Sequence, residues 1–418
     1  MIPVREAQER ILAGVQVLPA APVSLDAAHG RVLAEDVLSP LDIPAHTNSA
    51  MDGYATRSAD VRGASKAEPR RLRIIEEIPA GRFPTRPIGP GEAARIFTGA
   101  PLPEGADGVI RQEDTEREGD VVAVLDDRDA ARNFRLAGED LRRGARALEA
   151  GAALGPAELG VLASIARGSV RAHGTPRVAI LASGDEIADL DESDAILAGR
   201  KIASSNTHTL RALITEAGAT PVSLGIARDT LASVREQFTR AIAAADLLVS
   251  TAGVSVGEHD FVKAALESLG GTMDFWRVRM RPGSPLGFAQ VGGLPWIGLP
   301  GNPVSTMVCF ELYVRPAIRK MQGRRAWFRR TVAATTEERV TTHGRLTHFL
   351  RAVVRERAGG YTARLTGPQG SGILTSMVQA NALLVVPHDR NDIPAGASLP
   401  AVLLGDAGAF VETNPLGE

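Results

Sequence analysis

Between residues 176 and 326 short apolar runs alternate with amphipathic stretches, and no other feature of the chain restricts its fold as much. Residues 177–182 (RVAILA) are a continuously apolar run of strand length, and 221–226 and 246–250 (DLLVS) read as two further strands. Asn206 is placed to cap a helix with Leu210, Leu213, Ile214 and Ala217 on one face and Gly218 as its stop. Asp229 is placed to cap the next, which carries Leu231, Val234, Phe238 and Ile242. A glycine loop then leads to a helix over about 260–269, ended by Gly270-Gly271. Strand and helix in alternation predict βαβ units, hence a doubly wound parallel sheet with helices on both faces. Ligands of such sheets bind beyond the carboxyl ends of the strands.

The flanks differ in texture. Residues 1–40 read as helical pieces interrupted by prolines, with Ile11, Leu12, Val15 and Leu18 at helical spacing. Residues 144–172 return to alanine-rich helix over 156–167, and the two stretches are predicted to form one discontinuous helical domain. A β module interrupts it at 41–143, with β-like runs at 71–78, 94–97, 108–110 and 121–125 among Gly-Pro turns. The α/β domain takes 173–326. Residues 327–418 lose the helical period, and 346–355, 361–365, 382–386 and 398–404 read as strands of a small C-terminal β domain. The expected fold class is α/β plus β, in several domains.

Composition narrows the possible partners. Acidic and basic residues number 49 and 47, a formal net charge of −2, which argues against a nucleic-acid binder or a polybasic membrane adsorber. The single cysteine, Cys309, excludes an intrachain disulfide and a cysteine-built zinc site. Charge precedes any apolar run at the start, and no run nears the ~20 apolar residues of a membrane span. The expectation is a cytoplasmic protein without a signal peptide. Lys66, Lys201, Lys263 and Lys320 are the only lysines, so nearly all the positive charge is a planar fork rather than a point charge.

Two turns carry the strongest local signal. Residues 250–260 (STAGVSVGEHD) leave an apolar strand and enter a helix, where glycine N–H groups and the helix N-terminus suit a phosphate. The spacing is neither a Walker loop nor a dinucleotide fingerprint. Residues 299–305 (LPGNPVS) repeat the arrangement, with Asn302 as a plausible cap and Pro303 at the first helical position. Carboxylates collect at the same strand ends: Asp185 and Glu186, then Asp229, then Glu258 and Asp260. Oxygen-only donors there suit Mg²⁺, which takes one or two carboxylates plus water and substrate phosphate; a helix cap explains Asp229 equally well. Residues 276–284 read as a strand with Arg277, Arg279 and Arg281 on one face, either an anion site or a solvated edge. The stretches 48–55, 96–103, 112–113 and 135–140 read as polar loops of the β module.

Taken together, NSAMDGYA (48–55), IFTGAPLPEGAD (96–107), RLAGED (135–140), SGDE (183–186), GVSVGEHD (253–260), FWRVRMRPG (275–283), GLPGNPVS (298–305) and TGPQGS (366–371) resemble the molybdopterin molybdenumtransferase family, the MoeA proteins and the gephyrin E domain. The strings fall in that family's order along essentially the whole chain. The resemblance implies an L-shaped homodimer of four-domain subunits, its active cleft formed by the α/β domain of one subunit and the β module of the other. It implies a reaction in which adenylylated molybdopterin and molybdate, with Mg²⁺, give molybdenum cofactor and AMP. It also implies contacts with other proteins of cofactor biosynthesis or with acceptor enzymes.

The catalytic positions it implies are Asp52, Thr98, Glu186, Asp229 and Asp260, with Glu186, Asp229 and Asp260 as the Mg²⁺ ligands. The substrate-binding candidates are Arg135, Asp140, Ser183, Gly184, Asp185, Gly253, Ser255, Gly257, Arg277, Arg281, Pro300, Gly301, Asn302 and Ser371. Some positions depart from the family pattern. Arg277 and Arg281 replace lysines, Ser284 stands where a lysine is common, Ala203-Ser204 replaces Tyr-Asp, and Ala252 replaces a glycine. These departures leave open a second reading, a cofactor-binding paralogue or scaffold without the insertion step. A third is a nucleotide or pyrophosphate hydrolase on the same α/β module.

Overall fold

The computed structural model describes residues 1–251, 261–357 and 359–405. Its chain divides into two compact units, one of Pro22–His29 and Glu35–Arg171, the other of Met1–Ala21, Gly30–Ala34 and the residues from Ala172 onward.

The unit of residues 35–171 is built on one six-stranded sheet. Its strands are β1 (Gly53–Thr56), β2 (Arg70–Ile78), β3 (Glu92–Ile96), β4 (Gly108–Arg111), β5 (Thr115–Glu118) and β6 (Val121–Val124), in the spatial order β4-β1-β3-β2-β6-β5. The run 48–55, read from sequence as a polar loop, supplies β1, and every residue of that strand is buried. Its polar flanks conceal it, and four residues are too few to show a period. Gly53 is required there, because a Cβ would stand 1.9 Å from the Ile110 carbonyl oxygen. A second loop reading is also revised: Phe134–Arg135 pairs antiparallel with Asn48–Ser49, Arg135 opposite Asn48. The alanine-rich helix is shorter than expected, Pro156–Ser164, with Pro156 in its first turn.

In the other unit the expected alternation is present: β7 (Arg177–Ser183), α1 (Ser205–Glu216), β8 (Thr220–Ala227), α2 (Leu231–Ala244), β9 (Leu247–Thr251), α3 (Phe261–Ser268), β10 (Thr272–Phe275), β11 (Gly287–Val291), β12 (Leu294–Leu299) and α4 (Pro303–Cys309). The sheet order is β8-β7-β9-β12-β11-β10. The first four strands are parallel; β11 runs antiparallel to β12, joined to it through Gly292-Gly293, and β10 runs antiparallel to β11. Alternate residues of the central strands feed two cores. Val178, Ile180, Val249 and Ile297 pack with Leu210 and Ile214 of α1 and Val304 and Val308 of α4. Ala179, Leu181, Leu248 and Trp296 face Phe238 of α2 and Leu266 of α3. Apolar side chains on both faces explain why these strands read as unbroken apolar runs. The N-terminal helix, Val4–Gly14, buries Ala7 and Ile11 in the first of the two cores.

The expected arginine strand at 276–284 is corrected to a two-residue pairing. Only Met280–Arg281 joins a ladder, parallel to Thr347 and His348. The period of two survives in the burial, however: Val278 and Met280 are buried while Arg277 and Arg281 are exposed.

The remaining strands, β13 (Thr331–Thr336), β14 (Thr347–Arg357), β15 (Gly360–Leu365), β16 (Ala382–Val386) and β17 (Ser398–Leu403), close into a ring, β14-β15-β13-β17-β16 and back to β14. Closure leaves no free edge. β13 was not foreseen, since its alternating face is made of Val332, Ala334 and Thr336, too small to stand out.

Candidate functional site

At the carboxyl ends of β7, β9 and β12 lies a cleft of about 640 Å³. Ser183 and Glu186 line it after the first strand, Thr251 at the end of β9, and Pro300, Gly301 and Asn302 after β12. Residues 202–206 at the start of α1 and Gly372 from the C-terminal domain complete its wall.

Several hydrogen bonds join these segments. Asn206, expected to cap α1, instead sits inside its first turn and donates from Nδ2 to the Gly301 carbonyl at 2.8 Å. The cap position belongs to Ser204, whose hydroxyl pairs with Thr207 in a buried contact. Asn302 occupies the N-cap of α4, with Pro303 next, but its side chain makes no capping bond. Thr306 satisfies the turn in its place, donating to the Pro300 carbonyl at 2.7 Å. Ser371 reaches the same turn through its backbone, accepting from the N–H of Val304 at 3.2 Å.

The carboxylates are set by the strand register. Ser183 and Ala227 are partners in the parallel ladder, so Asp185 and Asp229 stand two residues beyond paired positions. They bond reciprocally: the Asp185 N–H donates to Asp229 Oδ2 at 3.2 Å, and the Asp229 N–H to Asp185 Oδ1 at 3.3 Å. The helix-cap reading of Asp229 is thereby overturned. Thr230 caps α2, accepting from the N–H of Ser233. Glu186 lies over Gly184, whose φ is +135° and whose missing Cβ would fall 2.7 Å from the Glu186 carboxylate. Lys201 donates its ammonium to the Asp185 carbonyl, fastening the same turn from outside. Gly253, Ser255, Gly257 and Asp260 lie outside the described residues.

In the other unit, Asp52 Oδ1 accepts from both the N–H and the hydroxyl of Thr98, each at 2.8 Å. Those two donors, with a smaller push from Arg95, hold the Asp52 carboxyl below the usual carboxylate range although it is exposed. Arg135 and Asp140 are exposed in the same unit, Asp140 with its N–H on the Ile43 carbonyl at 3.0 Å.

Two residues escaped the sequence reading. Arg351 on β14 is fully buried, and its guanidinium donates to the Gly370 carbonyl at 3.0 Å and the Ser376 hydroxyl at 3.1 Å. It therefore braces the loop that carries Ser371 and Gly372. The available signal was one arginine inside the apolar run HFLRAVV. Arg95 is the other, held between the rings of Tyr54 and Phe97 at 5.0 and 4.9 Å.

Comparison with known proteins places this geometry in a family. Residues 2–166 match the MoeA N-terminal region (domains I and II), 179–320 a probable molybdopterin binding domain, and 333–404 the MoeA C-terminal region (domain IV). A molybdopterin molybdenumtransferase of Nostoc sp. is 38% identical over 379 residues, covering 90% of this chain and 86% of that protein. One from Staphylococcus aureus is 33% identical, over 96% of this chain and 95% of its own length. A crystal structure of the molybdopterin biosynthesis MoeA protein from Pyrococcus horikoshii superposes with a TM-score of 0.80 at 29% identity, covering 96% of this chain and 100% of that one. On these matches, which together run along nearly its whole length, the chain belongs to the MoeA family of molybdopterin molybdenumtransferases.

Proposed function

We propose that this protein inserts molybdenum into adenylylated molybdopterin, consuming molybdate and releasing AMP. The observation that carries the reading is the single cleft that gathers Glu186, Ser183 and the Pro300–Asn302 turn at neighbouring strand ends. Backbone N–H groups at a helix entrance suit a phosphate ester, and flanking carboxylates suit a cation bound with it. Asp52 with Thr98, and Arg135 and Asp140, are further candidates for substrate contact on the β module. Arg277 and Arg281 retain positive charge for an oxyanion, and a planar guanidinium grips tetrahedral oxygens well.

The donor set accommodates Mg²⁺ as a partner of the substrate. Glu186 and Asp229 offer oxygens only, and among the described residues no three acidic, histidine or cysteine side chains form a ready cage. A small divalent ion of this kind uses one or two carboxylates and completes its shell with water and phosphate. Glu186 and Asp229 would hold it, with Asp260 as the third candidate; when bound, the ion neutralises phosphate charge. The residues themselves orient the ester: Asn206 fixes the Gly301 turn, and the Asp185–Asp229 pair fixes the strand ends.

We further propose a cytoplasmic homodimer that exchanges pterin with neighbouring biosynthetic or acceptor proteins. Its domains would divide at 1–40 with 144–172, 41–143, 173–326 and 327–418. The scaffold reading is not favoured, since Glu186 and Asp229 are kept and the relatives are named as transferases. Purified protein mixed with adenylylated molybdopterin, molybdate and Mg²⁺ should yield AMP and active molybdenum cofactor in equal amounts. Tight pterin binding without AMP would instead support the scaffold. Light scattering tests the dimer.

A further inference from the structure

We propose that Arg95 is a positioning residue for Asp52, fixing the backbone on either side of that carboxylate and keeping a positive charge next to it. The inference rests on the reading of Asp52 as part of the AMP-releasing site. Arg95 lies on β3 directly opposite Tyr54 of β1. Its guanidinium is stacked against Tyr54 and Phe97 and donates to the Gly53 carbonyl at 3.2 Å and to Gln112 Oε1 at 2.6 Å. The N–H of Gln112 donates in turn to the Asp52 carbonyl at 3.1 Å. Arg95, Gln112, Asp52 and Gly53 therefore close a ring, with the Asp52 main chain held from both sides.

That ring aims the side chain. Asp52 Oδ1 is committed to Thr98, three residues beyond Arg95 on the same connection, and among the described residues Oδ2 accepts no hydrogen bond. Both hydrogen bonds of Arg95 go to neutral oxygens, and among the described residues no acid forms an ion pair with it. Arg111, the partner of Gly53 on β4, is by contrast spent on Asp114 and Asp129. Glu113 is exposed on the turn after β4. An arginine merely decorating the sheet face would have no reason to bind both the residue after Asp52 and the side chain of the residue whose N–H holds it. Lysine could supply the charge but not two directed bonds and a stacked plane.

The test uses Arg95→Met and Arg95→Lys in the full-length protein, with circular dichroism to establish folding. Asp52 is labelled with a carbodiimide and an amine over a pH series and quantified by mass spectrometry, which reads its protonation without turnover. In Arg95→Met the labelling midpoint should rise by about half a pH unit or more, because the charge is lost and the Thr98 bonds loosen. Arg95→Lys should recover most of that midpoint. In AMP-release assays both variants should lose about tenfold or more in kcat while KM changes less than about threefold. An unmoved midpoint together with kcat within about twofold of wild type would overturn the proposal. Failure of the wild-type protein to release AMP would count against the proposed function, and the labelling midpoint would still decide whether Arg95 governs Asp52.

Discussion

Asp185 and Asp229 each hold the other's backbone N–H, at 3.2 and 3.3 Å, across the ends of two parallel strands. The exchange uses one oxygen of each carboxylate, and among the described residues the other accepts no hydrogen bond. It also means that either residue can be neutralised without losing an acceptor. Asp229→Asn should keep the melting temperature within about 2 °C of wild type, as expected of an exposed site. AMP release should fall about a hundredfold, the scale seen when a preorganised electrostatic contact is removed. A melting temperature lowered by clearly more than about 2 °C, with turnover retained, would return Asp229 to a structural role.

Gly184 sets a second condition on the same turn. Its φ of +135° is costly for any residue with a Cβ, and the Cβ of an alanine would collide with Glu186. Gly184→Ala should destabilise the protein by about 1–3 kcal/mol in denaturant melts. The displaced Glu186 carboxylate should abolish AMP release even where the protein remains folded.

The α/β sheet was legible because its strands are buried on both faces and its helices carry a period of 3.6. Residues 177–183 and 247–251 could hardly be anything but inner strands. The β module was harder to read, since four-residue β1 is flanked by polar residues that hide it. At the site, residue type was readable and partnership was not. Asn206 and Asp229 both looked like helix caps, and the sequence contains no sign that Thr230 and Ser204 take those positions. Such long-range choices depend on where the strand ends meet, which no local pattern encodes. Arg351 was missed for the same reason, as its partners lie 19 and 25 residues away.

Arg351 is fully buried, yet its guanidinium binds only neutral oxygens, and burial pushes its pKa down to about 10. It still carries its charge at neutral pH. Arg351→Lys preserves that charge but cannot span both the Gly370 carbonyl and the Ser376 hydroxyl. Losing one charged hydrogen bond and leaving a buried acceptor unpaired should cost about 1–3 kcal/mol. The loop bearing Ser371 and Gly372 should loosen, seen as faster hydrogen exchange over residues 367–374 and a raised KM. Unchanged exchange there would show that Ser371 is held by the Val304 contact alone.

Glu311 stands in a buried network at the junction with the C-terminal domain, in a π-helical turn of residues 310–314. Its carboxylate accepts from Arg315 at 2.7 Å and Arg329 at 2.9 Å, and both arginines also reach Glu216. Burial alone would raise its pKa, but the bonds from Arg315 and Arg329 outweigh it and the net shift is downward. A carboxylate with a depressed folded pKa stabilises fully above its unfolded value, and that contribution fades as pH falls through the folded one. Glu311→Gln leaves buried Arg315 with the half-exposed Glu216 as its one remaining acid and should cost about 3 kcal/mol at pH 7. Between about pH 5 and pH 3 the wild-type advantage should shrink as the carboxylate takes up a proton. Urea melts of both proteins across that range give the difference directly. A constant difference would mean that Glu311 contributes by shape and packing, with its charge immaterial.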